Sequence, residues 1–347
     1  MKQKETIGMI PNLNFIKPKI MKTKQFAGLT CALALTILSS NISAQGDEKS
    51  SSQTAQFTFA YPLGTNGTDA IHVSNNFSFN VLYGVNGGLD GIELGGIMNY
   101  NIGDVSGFQL SGIANANMER TSGVMWAGCL NLSAREMRGV QMADINAALS
   151  DFSGVQMGVI NYARRMKGVQ FGVINIMGED NGAVPIGLIN IVKGGHYELE
   201  LLSGDVIHTN LNYKMGVEHF YTIFKLGWST YERNEVYSVG IGIGGMVTLA
   251  GRHKLSIDLS NSQIIYNDDW NWTDDNYLSK LDLNYRLGLG EHLSLVAGPS
   301  FNLYVSEVKL DDTYGTLRIP YDVHTFVHED HQKWMWVGFN AGLAYKF

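Results

Sequence analysis

The sequence predicts an all-β fold, a β-solenoid-like repeat segment joined to an antiparallel outer-membrane β-barrel. Three observations carry this expectation. One phrase recurs seven times between Gly91 and Asn190, closing on Asn99, Asn115, Asn131, Asn146, Asn161, Asn175 and Asn190 at a period of 14 to 16 residues, the spacing of a stacked repeat. After Gly195 that period stops and long segments of two-residue alternation take over, which is the rhythm of strands and not of helices. The chain then ends on an unbroken apolar face, Met335, Val337, Phe339, Ala341, Leu343, Tyr345 and Phe347.

Composition agrees. With 40 glycines, 6 prolines and 16% charged residues among 347, the chain is too apolar for disorder and rich in the residue that turns require. Taken in order, residues 1–20 read as an upstream extension, because Met21 opens a better start. Lys22 and Lys24 precede an apolar run over 26–38 and the small-residue ending Ile42-Ser43-Ala44, the form of a cleaved signal peptide over 21–44. Removing residues 1–44 takes six lysines and one glutamate from the 25 basic and 32 acidic residues, leaving 19 and 31 and a net charge of −12. Such a balance argues against nucleic acid as a partner. Cys129 is then the one cysteine left; it forms no internal disulfide and is expected to be a small buried apolar side chain.

Residues 45–55 are serine-rich and polar, a flexible lead, and residues 56–90 hold two N-terminal strands, 56–63 and 77–85. In the second, Phe77, Phe79, Val81, Tyr83 and Val85 share a face. These two strands are open to use in the barrel wall.

The repeats occupy 91–192. In Gly154-Val155-Gln156-Met157-Gly158-Val159-Ile160-Asn161 the apolar positions alternate with Gln156 and Gly158, so each copy supplies a strand. Intervening stretches such as Tyr162-Ala163-Arg164-Arg165-Met166-Lys167 suit a solvated turn. Stacked as coils of a parallel solenoid, the copies align their amides into ladders, with Gln109, Gln141, Gln156 and Gln170 in one row and the seven asparagines in another. The alternative is a single larger barrel of about sixteen strands that includes the repeats, since 108–117 also reads as one wall strand with a polar face. The solenoid is favoured because late copies are one residue shorter than early ones; the deletion would turn half a continuous strand over, whereas a solenoid corner absorbs it.

From 193 to 347 eight strands are expected, near 197–202, 207–215, 220–228, 236–249, 254–266, 277–290, 293–305 and 335–347, enough to close a small barrel. The last resembles the terminal strand of bacterial outer-membrane barrels, in which the final aromatic residue is read by the barrel-assembly machinery. The resemblance implies that role for Phe339, Leu343, Tyr345 and Phe347 and implies outer-membrane lipid as a partner. The repeats, through Gly139-Val140-Gln141, Gly154-Val155-Gln156, Gly168-Val169-Gln170 and Pro185-Ile186-Gly187-Leu188-Ile189-Asn190, resemble the glycine-valine-glutamine surface-repeat proteins of Bacteroidetes and spirochaetes. That family is defined by location and repeat, so the resemblance implies no reaction.

Candidate chemistry is sparse. His324, His328 and His331 could form a weak divalent-metal site if 324–328 made a helical turn, but a hydrated loop explains them as well. Asp268-Asp269-Trp270-Asn271-Trp272-Thr273-Asp274-Asp275 has a calcium loop's composition without its glycine and final glutamate. Gly240, Gly242, Gly244 and Gly245 lie in a strand with no following lysine, so close packing explains them better than phosphate binding. No Gly-x-Ser-x-Gly elbow is present, and no catalytic residue or cofactor is expected. The expectation is a non-enzymatic outer-membrane surface protein with a structural or ligand-binding role. A passive porin-like channel is the alternative and a barrel-embedded hydrolase the third reading.

Overall fold

The structure, a computed structural model, describes residues 51–231, 234–266, 275–310, 313–315, 317–320, 323–328 and 331–347. The expected signal peptide and most of the acidic tryptophan loop lie outside the described residues.

A parallel β-solenoid runs from residue 51 to residue 192. Each coil contributes two strands, not one. The first sheet stacks 51–58, 73–80, 88–95, 105–111, 121–127, 137–142, 152–157, 166–171 and 184–186. The second stacks 83–86, 98–101, 114–117, 130–133, 145–148, 160–163, 174–177 and 189–192. The two strands of a coil meet at a tight, glycine-rich corner, Gly112 or Gly158 for example. Repeat equivalence is therefore literal stacking, with Gly154 on Gly168 and Gln156 on Gln170. This overturns the sixteen-strand alternative, because the repeat strands pair in parallel with one another and none enters the barrel wall.

Three further expectations are corrected. The N-terminal strands are the first coils of the solenoid: Ser51–Ala60 pairs in parallel with Val73–Asn86, which pairs in turn with Gly88–Gly95. Strand structure reaches back to Ser51, into the stretch read as a flexible lead. The charged stretch 162–167 is also no turn, since it lies inside the strand Ile160–Phe171, with Arg164, Arg165 and Lys167 exposed.

The barrel consists of eight antiparallel strands: β1 (His196–Gly204), β2 (Thr209–Val217), β3 (Phe220–Tyr231), β4 (Asn234–Ala250), β5 (His253–Tyr266), β6 (Asn276–Gly288), β7 (Leu293–Ser306) and β8 (Gln332–Lys346). Neighbours in sequence pair throughout, and β8 closes on β1 from Glu198↔Lys346 to Gly204↔Asn340. Each strand falls close to its expected position because alternation is strong on every one. At one end the turns are tight, as at Gly251-Arg252 between β4 and β5, and both the entry to β1 and the chain end Phe347 lie there. The other end carries the longer connections, including a strand His324–Val327 paired with the start of β8.

The barrel wall is apolar outward and polar inward. Leu226, Ile241, Ile243, Ile257, Leu259, Val337 and Phe339 are exposed on the outer face, while Lys214, Lys225, Lys280, Asp282 and Arg286 are buried in the lumen. The β4 glycines belong to this packing: a Cβ at Gly240 would lie 2.1 Å from the Ser262 hydroxyl and one at Gly244 2.2 Å from the Asp258 carboxylate.

Candidate functional site

The solenoid interior is built from amides in two rows. Along the asparagine row each side-chain amide donates to the carbonyl oxygen of the next, Asn99 to Asn115 and onward to Asn190, at 2.9–3.0 Å. The second amide proton goes to a backbone carbonyl of the following coil, Asn99 to Leu110, Asn115 to Trp126, Asn131 to Met142, Asn146 to Met157 and Asn161 to Phe171, at 2.8–3.0 Å. One residue type thus ties coil to coil and holds the corner carbonyls. All seven asparagines are fully buried, where an unmade amide bond would cost about 1–3 kcal/mol.

The glutamine row runs the other way. Gln170 donates to Gln156 and Gln156 to Gln141, both at 2.7 Å. Gln141 then meets Met125, at 3.6 Å from its sulfur, where the row is interrupted, and also donates to Ser133. Gln109 resumes the row and donates to Glu93 at 2.8 Å. A row of donors pointing toward the N-terminus must end on a pure acceptor, and Glu93 is that acceptor. Its carboxylate also receives Asn80, Asn86 and Asn101 at 3.0, 2.5 and 2.7 Å. At the opposite end the Gln170 side-chain oxygen faces Pro185, whose ring carries no amide to continue the row, and is left without a donor.

The seven asparagines form one row, Gln141, Gln156 and Gln170 another, and Gln109 stands apart from it beyond Met125; sequence reasoning missed Glu93. Its signal was available, since Glu93 occupies the glutamine position of the first repeat. Burial pushes the Glu93 carboxyl up from its ordinary value of 4.5, against the pull of the four amides. A raised folded value means that its contribution to stability is complete below pH 4.5 and is lost as pH rises through that folded value. The difference in urea midpoint between the wild type and Glu93→Gln should therefore change across that window and be flat above it. A difference independent of pH would show that Glu93 keeps its ordinary titration.

The amide rows are not presented to solvent. The outward positions are apolar, in stacked columns such as Leu94, Leu110, Trp126, Met142, Met157, Phe171 and Ile186, with Trp126 50% exposed. Phe57 and Phe79 extend this column, their rings stacked at 5.6 Å. Cys129, at a corner, is half-buried and not fully enclosed.

The barrel lumen holds the second buried network. Lys214 Nζ lies 2.8 Å from Glu200 and 2.7 Å from Asp258, and Tyr221 donates to Asp258 at 2.6 Å. Arg286 pairs with Glu200 at 2.5 Å and with Glu198. Further along, Lys225 and Lys280 flank Asp282, which also accepts from Asn340 at 2.8 Å. Four cations thus face four carboxylates. Near the long-loop end the interior turns apolar, with Val206, Ile207, Val236, Ile264, Leu278, Tyr304 and Trp336 packed together.

His324 lies in a strand opposite Met335, so 324–328 does not make the helical turn that a metal site would need, and the rings of His328 and His331 stack at 4.5 Å. Among the described residues no group of three or more histidine, cysteine, aspartate or glutamate side chains is placed to hold a metal ion. The expected assembly-signal residues Phe339, Leu343, Tyr345 and Phe347 are exposed on the outer wall, with Tyr345 and Phe347 in edge contact at 5.3 Å.

No family model matches this chain, and no curated protein matches it. The geometry therefore carries the functional argument alone.

Finally, solenoid and barrel are joined. In β2 and β3, Lys214 and Tyr221 point into the lumen, so their neighbours Met215 and Thr222 point outward. Met215, Val217 and Thr222 are nonetheless buried, because the last coil covers them. Val192 and Met177 pack with Val217 and Phe220, and the asparagine ladder ends by donating from Asn190 to the Thr222 hydroxyl at 2.9 Å. That hydroxyl donates to the Gly187 carbonyl at 2.6 Å.

Proposed function

We propose that this chain is a non-enzymatic outer-membrane protein, exported by a cleaved signal peptide, whose closed barrel anchors the solenoid to the membrane. The observation that carries this reading is the inverted barrel, apolar on its outer face and filled by paired charges inside. An apolar outer band suits lipid, and in a closed barrel every wall strand has both neighbours, which a bilayer demands of the backbone. Aromatic residues rim both ends of the outer face, Tyr285, Tyr345 and Phe347 beside the tight turns and Trp228 and Tyr237 toward the long connections, as at membrane interfaces. The exposed terminal aromatics are what the barrel-assembly machinery reads in proteins with this kind of ending.

The filled lumen counts against the channel reading. Eight strands leave an interior that side chains can fill, and here mutually neutralising ion pairs occupy it. Glu198, Glu200, Asp258 and Asp282 are each held by a cation, and Asp205 accepts from the Trp336 indole at 2.6 Å. The folded full-length protein should migrate differently on a gel before and after boiling, and should give no stepwise conductance in planar bilayers. Steady conductance steps would return the channel reading to the front, and absence of the gel shift would remove the membrane barrel.

A further inference from the structure

The solenoid's two outer faces are apolar, while its interior holds the buried amide rows and Glu93 beside a packed layer of Met125, Met137, Phe152, Met166 and Met177. The two outer faces converge on the glycine-rich corner, while charged groups collect on the opposite edge. There Asp104 pairs with Arg120 at 2.8 Å, Glu136 with Arg138 at 2.7 Å, and Asp151 with Arg165. A cross-section with one apolar ridge and one charged ridge is that of an element lying in a membrane interface.

Two further observations identify the occupant of the apolar side. The corner backbone is paired even though it is exposed: Gly96 N–H donates to Asn80, Ile113 to Ile97, Cys129 to Ile113 and Val173 to Val159, at 2.8–3.0 Å. The asparagine ladder takes up the carbonyls that lead into several of these corners. Water would satisfy such groups unaided, whereas hydrocarbon requires internal partners for each of them. The attachment agrees. The last coil covers outward-facing Met215 and Thr222 on the barrel wall, and the ladder ends on Thr222, so the stack leads away from the wall and the barrel's lipid-facing surface continues into the coil faces.

We propose that the solenoid lies in a lipid leaflet beside the barrel, its glycine corner and flanking faces among acyl chains and its charged edge in water. It joins the barrel at the end that carries the tight turns, which in bacterial barrels is the periplasmic end, so the leaflet is the inner one. This rests on the membrane reading of the barrel and extends it: the protein covers membrane area well beyond its eight strands, in one leaflet only.

Trp126, on the exposed face, is a built-in probe, and Trp228, 46% exposed on the barrel wall, is the reference. The full chain would be folded into phosphatidylcholine vesicles with and without chain-brominated lipid, alongside Trp126→Phe and Trp228→Phe, so that each difference isolates one indole. The expected result is that brominated chains remove most of the emission of both indoles and that aqueous acrylamide removes little of either. Loss of Trp228 emission to brominated lipid with loss of Trp126 emission to acrylamide would overturn the leaflet placement and leave the barrel standing. Trp126 shielded from both quenchers would overturn it in favour of a protein cover, such as a second copy of this chain. If neither indole responds to brominated lipid, the membrane reading fails and this inference with it. As a second variant, Val159→Glu with Val173→Glu should abolish quenching of Trp126 by lipid while the heat-dependent gel shift persists; unchanged quenching would count against the placement.

Discussion

Replacing Gly139 by alanine should unfold the middle of the solenoid, at a cost of about 3 kcal/mol or more. Two effects coincide at this position. Its φ of 133° lies where side chains other than glycine are strained. A Cβ built there would also sit 1.9 Å from the Gly123 carbonyl oxygen in the coil below. Relief would require neighbouring coils to separate, and the parallel pairing of Gly139 with both Gly123 and Gly154 forbids that without breaking hydrogen bonds on both sides. Gly182 separates the two causes, since its φ is 80° but nothing lies within 4 Å of a Cβ there. Gly182→Ala should cost only the conformational term, about 1–2 kcal/mol. Urea titration of the folded protein, followed by proteolysis of the solenoid, measures both. Equal midpoints for the two variants would mean that coil spacing is not what this glycine column protects.

The same column explains how much of the fold could be read from sequence. A glycine required at each coil by both backbone and space is repeated without exception from Gly91 to Gly168, so the period and the stacking were legible. The asparagine row was legible for a similar reason, because Asn99, Asn115, Asn131, Asn146 and Asn161 each make the same two hydrogen bonds. Which face points inward was not. Alternation separates Val155 and Met157 from Gln156 but assigns neither set to the interior, and ordinary experience with solenoid cores favours the wrong one. Nor did the repeat reveal its own N-terminal extension: in the coil before the first recognised copy, Gly84 stands where Asn99 follows and Ser78 where Glu93 follows, so the signature residues are gone while the pairing persists. In the barrel, strand positions were legible because the wall alternates along its whole length. Lys214 could be placed on the polar face, but Asp258 lies 44 residues away and three strands around the wall. Which groups meet across a lumen depends on strand tilt and stagger, and those are not written in any one strand.

That lumen carries the second large effect. Lys214→Met should destabilise the barrel by about 3–5 kcal/mol, the cost of removing one member from a buried charge network. The ammonium is wholly enclosed, bridges Glu200 and Asp258 and sits 4.9 Å from the Tyr221 ring centre. Without it, Asp258 retains the Tyr221 hydroxyl and Glu200 retains Arg286, leaving one more negative charge than positive in a space closed to water. Changing Lys214→Met together with Asp258→Leu removes one charge of each sign and should recover much of the loss, because the remaining groups are again balanced. Lys254 is the control: it pairs with Glu218 at 2.7 Å on the rim, where Lys346 is a second partner at 3.0 Å, so Lys254→Met should cost no more than about 1 kcal/mol. The urea concentration at which the heat-dependent gel shift disappears reports all three. If Lys214→Met behaves like Lys254→Met, water reaches the lumen, and the argument that paired charges close this barrel to solutes falls with it.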